Sequence, residues 1–437
     1  MKLILENIGM LKHAEITLHK LCVIAGENDN GKSTIGKIFF CIVKAINRYK
    51  EDLRESKEFL VEAKMEEIYL LLRYEFRNAA TADVEWDFDF LRLELLRDSS
   101  RTRMSILERL SALEEATQKF FKRIKPNAKL REKILDSLNE VRAILNEPEN
   151  INQYIENAFN KVFASEFDSS LLLQGTTKGR IQLTENDVPL IDLNISKKGV
   201  KLNGEVEPIA LKDATFIDSP LILNNHDVLL QSQTLLDVDQ RRSGFLGRPY
   251  TTLHTKDLFD KLRRPELPFD LFSQTKVNLL QEIQETIEGE IVYDRSIRDF
   301  VFKKRGKPVS IKNTASGIKV FGLLQVLLAN EFVANNTALI FDEPENHLHP
   351  KWQLRLAQVL IKLVENGVYV LVSSHSPYLI EALKRGVDRV GLTSQARFAL
   401  AQGQCIDDAD RLSDIFKVLS EPFEVFRDMD AKEMLGE

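Results

Sequence analysis

The chain has 437 residues, 43% of them hydrophobic and 29% charged, which is enough for a large core and two or three structural units. Its formal net charge of -6, with acids and bases interspersed, argues against a general basic coat for nucleic acid and leaves room only for local basic patches.

Residues 2–25 read as short strands. Leu3, Leu5 and Ile8 alternate imperfectly with polar neighbours, and Leu21-Cys22-Val23-Ile24-Ala25 is a fully apolar run. Glu6 interrupts the first run too early for a signal peptide, and no stretch reaches the length of a membrane span, so a soluble cytoplasmic protein is expected. Cys22, Cys41 and Cys405 lack C-x-x-C spacing, and Cys22 and Cys41 flank the phosphate loop in apolar surroundings, so these two are expected to be buried thiols and the compartment reducing. A helix is expected to open at Lys32 or Ser33 and run through Ile46. Between about 48 and 165 glycine disappears and apolar residues recur at helical spacing, as in Leu107, Leu110, Leu113 and Ile134, Leu138, Val141, Leu145, which predicts a helical, short coiled-coil-like insertion. Strand signals return over 180–218, with turns at Gly199, Gly204 and Asp213, and Thr215-Phe216-Ile217 ends at Asp218-Ser219-Pro220. A loop-rich stretch follows, then a helix over 274–288. Short strands come next at 290–293, 300–302 and 309–311, the last two joined by a basic turn, Lys303–Lys307. The expected division is core 1–47, helical insertion 48–165, core strands 166–220, loop-rich insertion 221–288 and core 289–437.

Gly26-Glu27-Asn28-Asp29-Asn30-Gly31-Lys32-Ser33 is a complete G-x-x-x-x-G-K-[ST] loop between a strand and a helix. Gly26 and Gly31 let backbone N–H groups face phosphates, and the helix N-terminus adds its dipole. Lys32 is expected on the β- and γ-phosphates, Ser33 on Mg²⁺ and Thr34 on the α-phosphate, with Asn28 and Asn30 completing the cofactor-binding loop. Asp29 is unexpected beside a polyanion. Leu339-Ile340-Phe341-Asp342-Glu343 is an apolar strand ending in two carboxylates. Asp342 is the candidate metal ligand and Glu343 the candidate catalytic base for an attacking water. Ser316-Gly317 opens a helix whose apolar positions fall on one face, a possible anion site or an ordinary cap. Lys319 is either a cation there or simply solvated. His375 ends the strand Tyr369–Ser374 and is the second catalytic candidate. His347 and His349 lack a third partner for a metal. Asp407, Asp408 and Asp410 form a D-x-D pattern too isolated to predict a nuclease. Arg241/Arg242, Arg263/Arg264 and Lys303–Lys307 are basic spots whose default is solvation, with nucleic-acid or partner contact as the alternative.

The order of phosphate loop, Ser-Gly, Asp-Glu strand and strand-end histidine resembles ABC-type ATPases of the OLD/SMC-like group. The segments Gly26–Thr34, Thr314–Lys319, Asp342–Pro350 and Ser373–Pro377 look especially like ATPase subunits of bacterial phage-defence systems such as PARIS and Septu. The resemblance implies an α/β fold: an ABC-type P-loop ATPase head with a mixed sheet and an inserted helical arm. It implies ATP and Mg²⁺ as cofactors and slow, regulatory hydrolysis. It also implies a homodimer at minimum, in which Lys32 and Asp342 of one copy meet Ser316 and Gly317 of another, and a strand-end His375 that senses the γ-phosphate. OLD-family nucleases continue into a Toprim domain and this chain does not. That departure implies a separate effector, a nuclease or toxin, controlled by an oligomeric sensor in antiphage defence, with a phage protein as possible trigger. An SMC/RecF-like DNA-repair ATPase acting on DNA is the alternative. A transporter motor fits poorly, because the glutamine loop is unclear; Asp218 or Gln231 could stand in its place.

Overall fold

A computed structural model describes the chain except for residues 79–105, 125–127, 147–150, 169–170, 235–249, 265–273, 409–410 and 436–437. Arg241, Arg242 and Asp410 therefore lie outside the described residues. The chain forms two compact units, Met1–Asn47 with Ile155–Glu437, and Arg48–Tyr154.

In chain order, β1 (Lys2–Ile8), β2 (Leu11–Thr17) and β3 (Leu21–Ala25) lead into α1 (Lys32–Asn78). That helix opens at the expected lysine but continues far beyond Ile46. Next come α2 (Ile106–Ile124), α3 (Ala128–Asn146) and α4 (Ile151–Phe167), then β4 (Lys178–Glu185), β5 (Val188–Ser196), β6 (Gly199–Leu202) and β7 (Asp213–Ile217). Asp213 begins a strand rather than a turn. The chain continues through α5 (His226–Gln231), α6 (Leu253–Leu262), α7 (Gln274–Ile287), β8 (Gly289–Asp294), β9 (Asp299–Lys304), β10 (Lys307–Ser310), α8 (Ser316–Ala329) and β11 (Thr337–Asp342). The basic "turn" is mostly strand, so Lys303, Lys304 and Lys307 project from a hairpin and only Arg305 and Gly306 turn it. The fold ends with α9 (Pro350–Glu365), β12 (Tyr369–Ser374), α10 (Pro377–Arg389), β13 (Ala396–Gln402), β14 (Cys405–Ile406) and α11 (Leu412–Leu435).

Eleven strands form one mixed sheet in the order β6-β5-β4-β1-β2-β14-β13-β3-β12-β11-β7. Five neighbours, β13-β3-β12-β11-β7, are all parallel. Their residues are apolar almost throughout, as expected for strands covered on both faces; β3 and the first five residues of β11 are wholly buried. The β4–β6 side is antiparallel and alternates buried with exposed positions. Residues of β3, β11 and β12 join α7, α8, α9 and α10 in one core cluster, where each fully buried aliphatic or aromatic side chain contributes on the order of 1.5–3 kcal/mol. A separate antiparallel sheet, β10-β9-β8, packs on α8, and the Gln325 side chain accepts a hydrogen bond from the Ile291 amide at 3.1 Å.

A buried quartet of alternating charges fixes α1, β7 and α6 to one another. Lys44 reaches Asp213 at 2.5 Å and Asp257 at 2.6 Å, and Lys261 reaches the same two acids at 2.7 and 2.9 Å. Burial alone would lower the Lys44 pKa, but the two carboxylates outweigh it and raise it. Lys261 is held low by burial and by the charge of Lys44. Removing one member would leave an uncompensated buried charge, the costly case for such networks.

In the second unit, Val61, Met65, Ile68 and Leu72 of α1 pack with Leu113 and Phe120 of α2 and with Ile134, Leu138 and Val141 of α3. Leu110, Leu113, Ile134, Leu138 and Val141, read from their helical spacing, lie on these buried faces, whereas Leu107 is 66% exposed. Among the described residues, no helix is long and apolar enough to cross a membrane.

Candidate active site

The parallel strands β3, β11 and β12 deliver their carboxyl ends to one place, the position where open α/β sheets bind ligands. The β3 chain turns through Gly26, whose φ of +148° is open only to glycine; a Cβ there would come within 2.3 Å of the Ala401 carbonyl oxygen. Gly31 has φ +81°, and a Cβ would strike Leu11. Asp29 adopts a left-handed φ of 65° and is exposed, so the loop turns with its carboxylate in solvent. Asn28 is exposed and Asn30 half-buried, its amide 3.5 Å from the Glu27 carbonyl.

Lys32 is 4% exposed. Its ammonium donates to the Glu27 carbonyl at 2.7 Å and lies 3.7 Å from the Glu343 carboxylate. The Ser33 hydroxyl donates to Asp342 Oδ1 at 2.9 Å, and the Ser373 hydroxyl donates to the same oxygen. The Thr34 amide donates to the Gly31 carbonyl at 3.1 Å. The structure thus joins residues that are 309 positions apart in sequence.

Glu343 follows β11 in a left-handed conformation, φ 47°. Its amide donates to the Ser373 carbonyl at 3.0 Å, and its carboxylate accepts from the Asn346 amide at 3.2 Å. Left-handed backbone at a non-glycine residue persists only where surrounding bonds enforce it. His375 Nδ1 lies 3.5 Å from Glu343 and 3.4 Å from Glu345, a ring nitrogen without a well-formed hydrogen bond.

Glu345 is a residue that pattern reading passed over. One oxygen of this buried carboxylate accepts from the Ser374 hydroxyl at 2.7 Å, the His375 amide at 2.8 Å and the Ser376 amide at 3.1 Å. It clamps the loop after β11 to the end of β12 and so sets the position of His375. The sequence signal was the hydroxyl run Ser373-Ser374-His375-Ser376 facing an acid-rich loop. His349 caps α9 by accepting from the Lys351 amide at 3.3 Å, and His347 has φ 64°.

A second group, of which the sequence singled out only Asp218, borders the site. Ile217 pairs with Phe341 in parallel register, so Asp218 and Asp342 leave adjacent strands side by side. Asp218, Ser219, Asp342, Glu343, Asn346 and His347 line a common cavity of about 210 Å³. Asp218 accepts from His254 Nε2 at 3.3 Å; His254 Nδ1 lies 2.6 Å from the fully buried Glu166, which also accepts from the His254 amide. Lys37, one turn along α1 from Ser33, lies 3.5 Å from Glu166. Burial would lower the His254 pKa, but its hydrogen bonds to Asp218 and Glu166 prevail and raise it to about 9. Burial would likewise raise Asp218, yet the hydrogen bond from His254 holds it below the usual carboxylate range. Of the two stand-ins for a glutamine loop, Asp218 lies in this cavity and Gln231 is exposed at the end of α5.

Ser316 and Gly317 begin α8, whose cap is Ala315. Gly317 faces the Trp352 indole of α9, and a Cβ would approach it to 3.0 Å. Among the described residues, no hydrogen bond or ion pair joins Ser316 or Gly317 to Lys32, Ser33, Asp342 or Glu343. Lys319 is 3% exposed and burial lowers its pKa; it is not a solvated lysine. Asp408 accepts from the Thr17 amide at 2.9 Å and from its hydroxyl. The carboxylate is a strand tether, which removes it from the D-x-D pattern. Cys22 and Cys41 are fully buried, and burial pushes the Cys22 thiol up to about 12.

Comparison with solved structures finds an SMC head domain from Thermotoga maritima, 12% identical, covering 93% of this chain and 96% of that one at a TM-score of 0.34. An Smc head domain with an extended coiled coil from Pyrococcus furiosus, bound to the C-terminal domain of ScpA, is 11% identical, with 96% and 98% covered and a TM-score of 0.36. The ADP conformation of an ATP-binding cassette of an ABC transporter is 12% identical, with 97% of both chains covered and a TM-score of 0.33. Comparison with curated proteins gives no match. The AAA_15 family model, an AAA ATPase domain, matches residues 1–380, and with the phosphate loop, Asp342 and Glu343 assembled at the carboxyl ends of the parallel strands, the chain belongs to that family of ATPases.

Proposed function

We propose that this ATPase hydrolyses ATP·Mg²⁺ at sites shared between two copies of the chain and uses the cycle as a slow switch over a separate effector protein, a nuclease or toxin of an antiphage system. The observation that supports the chemistry most is the bond between Ser33 and Asp342 at 2.9 Å. Ser33 Oγ and Asp342 Oδ1 are hard oxygens close enough to serve one small divalent cation together, so these two residues would hold Mg²⁺. The ion would neutralise charge on the β- and γ-phosphates.

In this reading the N–H groups of residues 28–34 and the start of α1 cradle the phosphates. Lys32 leaves the Glu27 carbonyl for the β- and γ-phosphates. Glu343 holds the attacking water and takes its proton, oriented by Asn346 and by its fixed backbone. Positioning and charge neutralisation, rather than covalent chemistry, are what phosphoryl transfer needs. His375, which lies 3.5 Å from Glu343 and 3.4 Å from Glu345, donates to the γ-phosphate in this reading and registers its loss. Ser316, Gly317 and the N-terminus of α8 form an anion site with no bond to Lys32, Ser33, Asp342 or Glu343 among the described residues, which supports completion by a second chain. ATP then favours the closed pair and hydrolysis releases it.

The effector assignment is supported by the likeness of the four motif segments to phage-defence ATPases. Co-expression with the products of adjacent genes tests it: an effector that co-purifies and is released by ATP turnover is expected. Hydrolysis stimulated by duplex DNA with no associated effector would overturn it in favour of a DNA-repair ATPase.

A further inference from the structure

Two basic spots that are far apart in sequence meet in the fold. Arg263 and Arg264, just beyond α6, and Arg295 and Lys303, from β8–β9, line one cavity of about 360 Å³ with Tyr293 and Asn330. The volume lies at the small end of the range for ligand pockets, about 300–1,000 Å³. Four cationic side chains face it against one carboxylate, Asp294, and that carboxylate is engaged by the Ser296 amide and hydroxyl at 2.8 and 2.6 Å.

Arg263 and Arg264 are set in place by aromatic rings. The Arg263 guanidinium lies over the rings of Phe259 and Tyr293, 5.2 and 5.8 Å from their centroids, and Arg264 lies 5.0 Å over Phe332. Among the described residues no carboxylate pairs with Arg264 or Arg295. Arg263 reaches Asp260 only at 4.0 Å. A guanidinium stacked on aromatic rings keeps its N–H edge free and loses little freedom when an anion docks. Capping of α6 does not account for the cluster, because the Asn330 amide already donates to the Lys261 and Leu262 carbonyls at 2.9 and 3.3 Å. Arg263 Nε and Asn330 Oδ1 are both buried without a hydrogen-bond partner. Lys303 lies 3.5 Å from Glu290, so Arg264 and Arg295 are the cations of this cavity left without a carboxylate among the described residues; two such charges suit a dianion better than a single carboxylate, and planar forks match phosphate oxygens.

We propose that this cavity binds the phosphate monoester of a nucleotide, either free or at the end of a nucleic-acid strand. The site is distinct from the phosphate loop. It is walled by Val326 and Asn330 at the far end of α8, the helix that begins at Ser316.

The test is fluorescence anisotropy with a labelled single-stranded tetranucleotide, with and without a 5′-phosphate, in saturating Mg·ADP to fill the phosphate loop. The phosphorylated probe is expected to bind at least about tenfold tighter. Arg264→Ala with Arg295→Ala should weaken it at least about tenfold, and the log–log salt slope should fall by roughly one for each phosphate interaction removed. The paired lysine substitutions, which keep charge but lose the fork, should fall between. Melting curves establish that each variant is folded. Displacement by AMP identifies a free nucleotide as the ligand, and displacement by strands alone identifies a strand end; either supports the site. Equal binding by wild type and the folded double-alanine variant, indifference to the 5′-phosphate, or stronger displacement by a glutamate-rich peptide would overturn it. Because hydrolysis is not the readout, failure here leaves the ATPase reading standing, and loss of ATPase activity leaves this site standing.

Discussion

At the carboxyl ends of β3, β11 and β12, Lys32, Ser33, Asp342, Glu343 and Ser373 are tied by hydrogen bonds and an ion contact to one another or to neighbouring backbone. Ser316 and Gly317, by contrast, start α8 against Trp352 with no bond to that group. The first group is preorganised within the chain; the second is a helix N-terminus with no bond to it among the described residues. On the proposed reading of a site shared between two copies, that difference locates the catalytic switch. Preorganised polar groups stabilise a transition state without rearranging, whereas a half-site elsewhere contributes only when a second molecule brings it in.

Changes in the first half should cost most. Lys32→Ala is expected to weaken ATP binding and turnover together by roughly 10²–10³-fold, the scale of a lost charge-stabilising donor, read by nucleotide titration; unchanged affinity would contradict the role of the loop. Glu343→Gln should slow turnover by roughly 10²–10⁴-fold, the usual contribution of a general base, while ATP still binds, measured by single-turnover hydrolysis beside a binding isotherm. Normal turnover would remove Glu343 as base.

Glu345→Ala asks how rigid the first half must be. It orphans the Ser374 hydroxyl and the His375 amide, while the Ser376 amide keeps the Ser374 hydroxyl oxygen at 3.1 Å, and each buried unsatisfied group costs about 1–3 kcal/mol. A clear fall in denaturation midpoint is expected, with turnover falling more than ATP affinity as His375 loses its support. A turnover loss no greater than the affinity loss would make Glu345 purely structural.

The smallest effect belongs to His254. Its folded pKa of about 9 stands above the usual 6.5, so its contribution to stability is full below about pH 6.5 and is lost as pH rises through about 9. Asp218, held low, contributes in the opposite sense, and its share is lost only in acid. Wild type should therefore lose stability between pH 6.5 and 9 relative to His254→Gln, as followed by melting temperature. Parallel pH curves would dissociate His254 from the Asp218–Glu166 pair.

How much of this was legible in the sequence follows from chain distance. The phosphate loop and Asp342-Glu343 were readable because each is local, with glycine spacing and an apolar strand that impose their own geometry. Start positions of α1 and α8 were readable for the same reason. The length of α1 was not, since nothing local stops it after Ile46. Glu345 looked like one acid in a loop, because its partners come from β12, about 30 residues on. Glu166 and His254 are 88 residues apart, and neither carries a motif. Arg263, Arg264 and Lys303 were visible as basic spots, but only packing of β8–β9 beside α6 makes them one cavity.

The central claim, that Ser316 completes a partner's site, is tested most directly by mixing two inactive variants, Lys32→Ala and Ser316→Arg. A mixed dimer holds one site with both halves intact, so equimolar mixing should recover about a quarter of wild-type ATPase activity if dimers form at random. Recovery at that level is the predicted result. No recovery, with dimers shown to exchange subunits, would contradict a shared site.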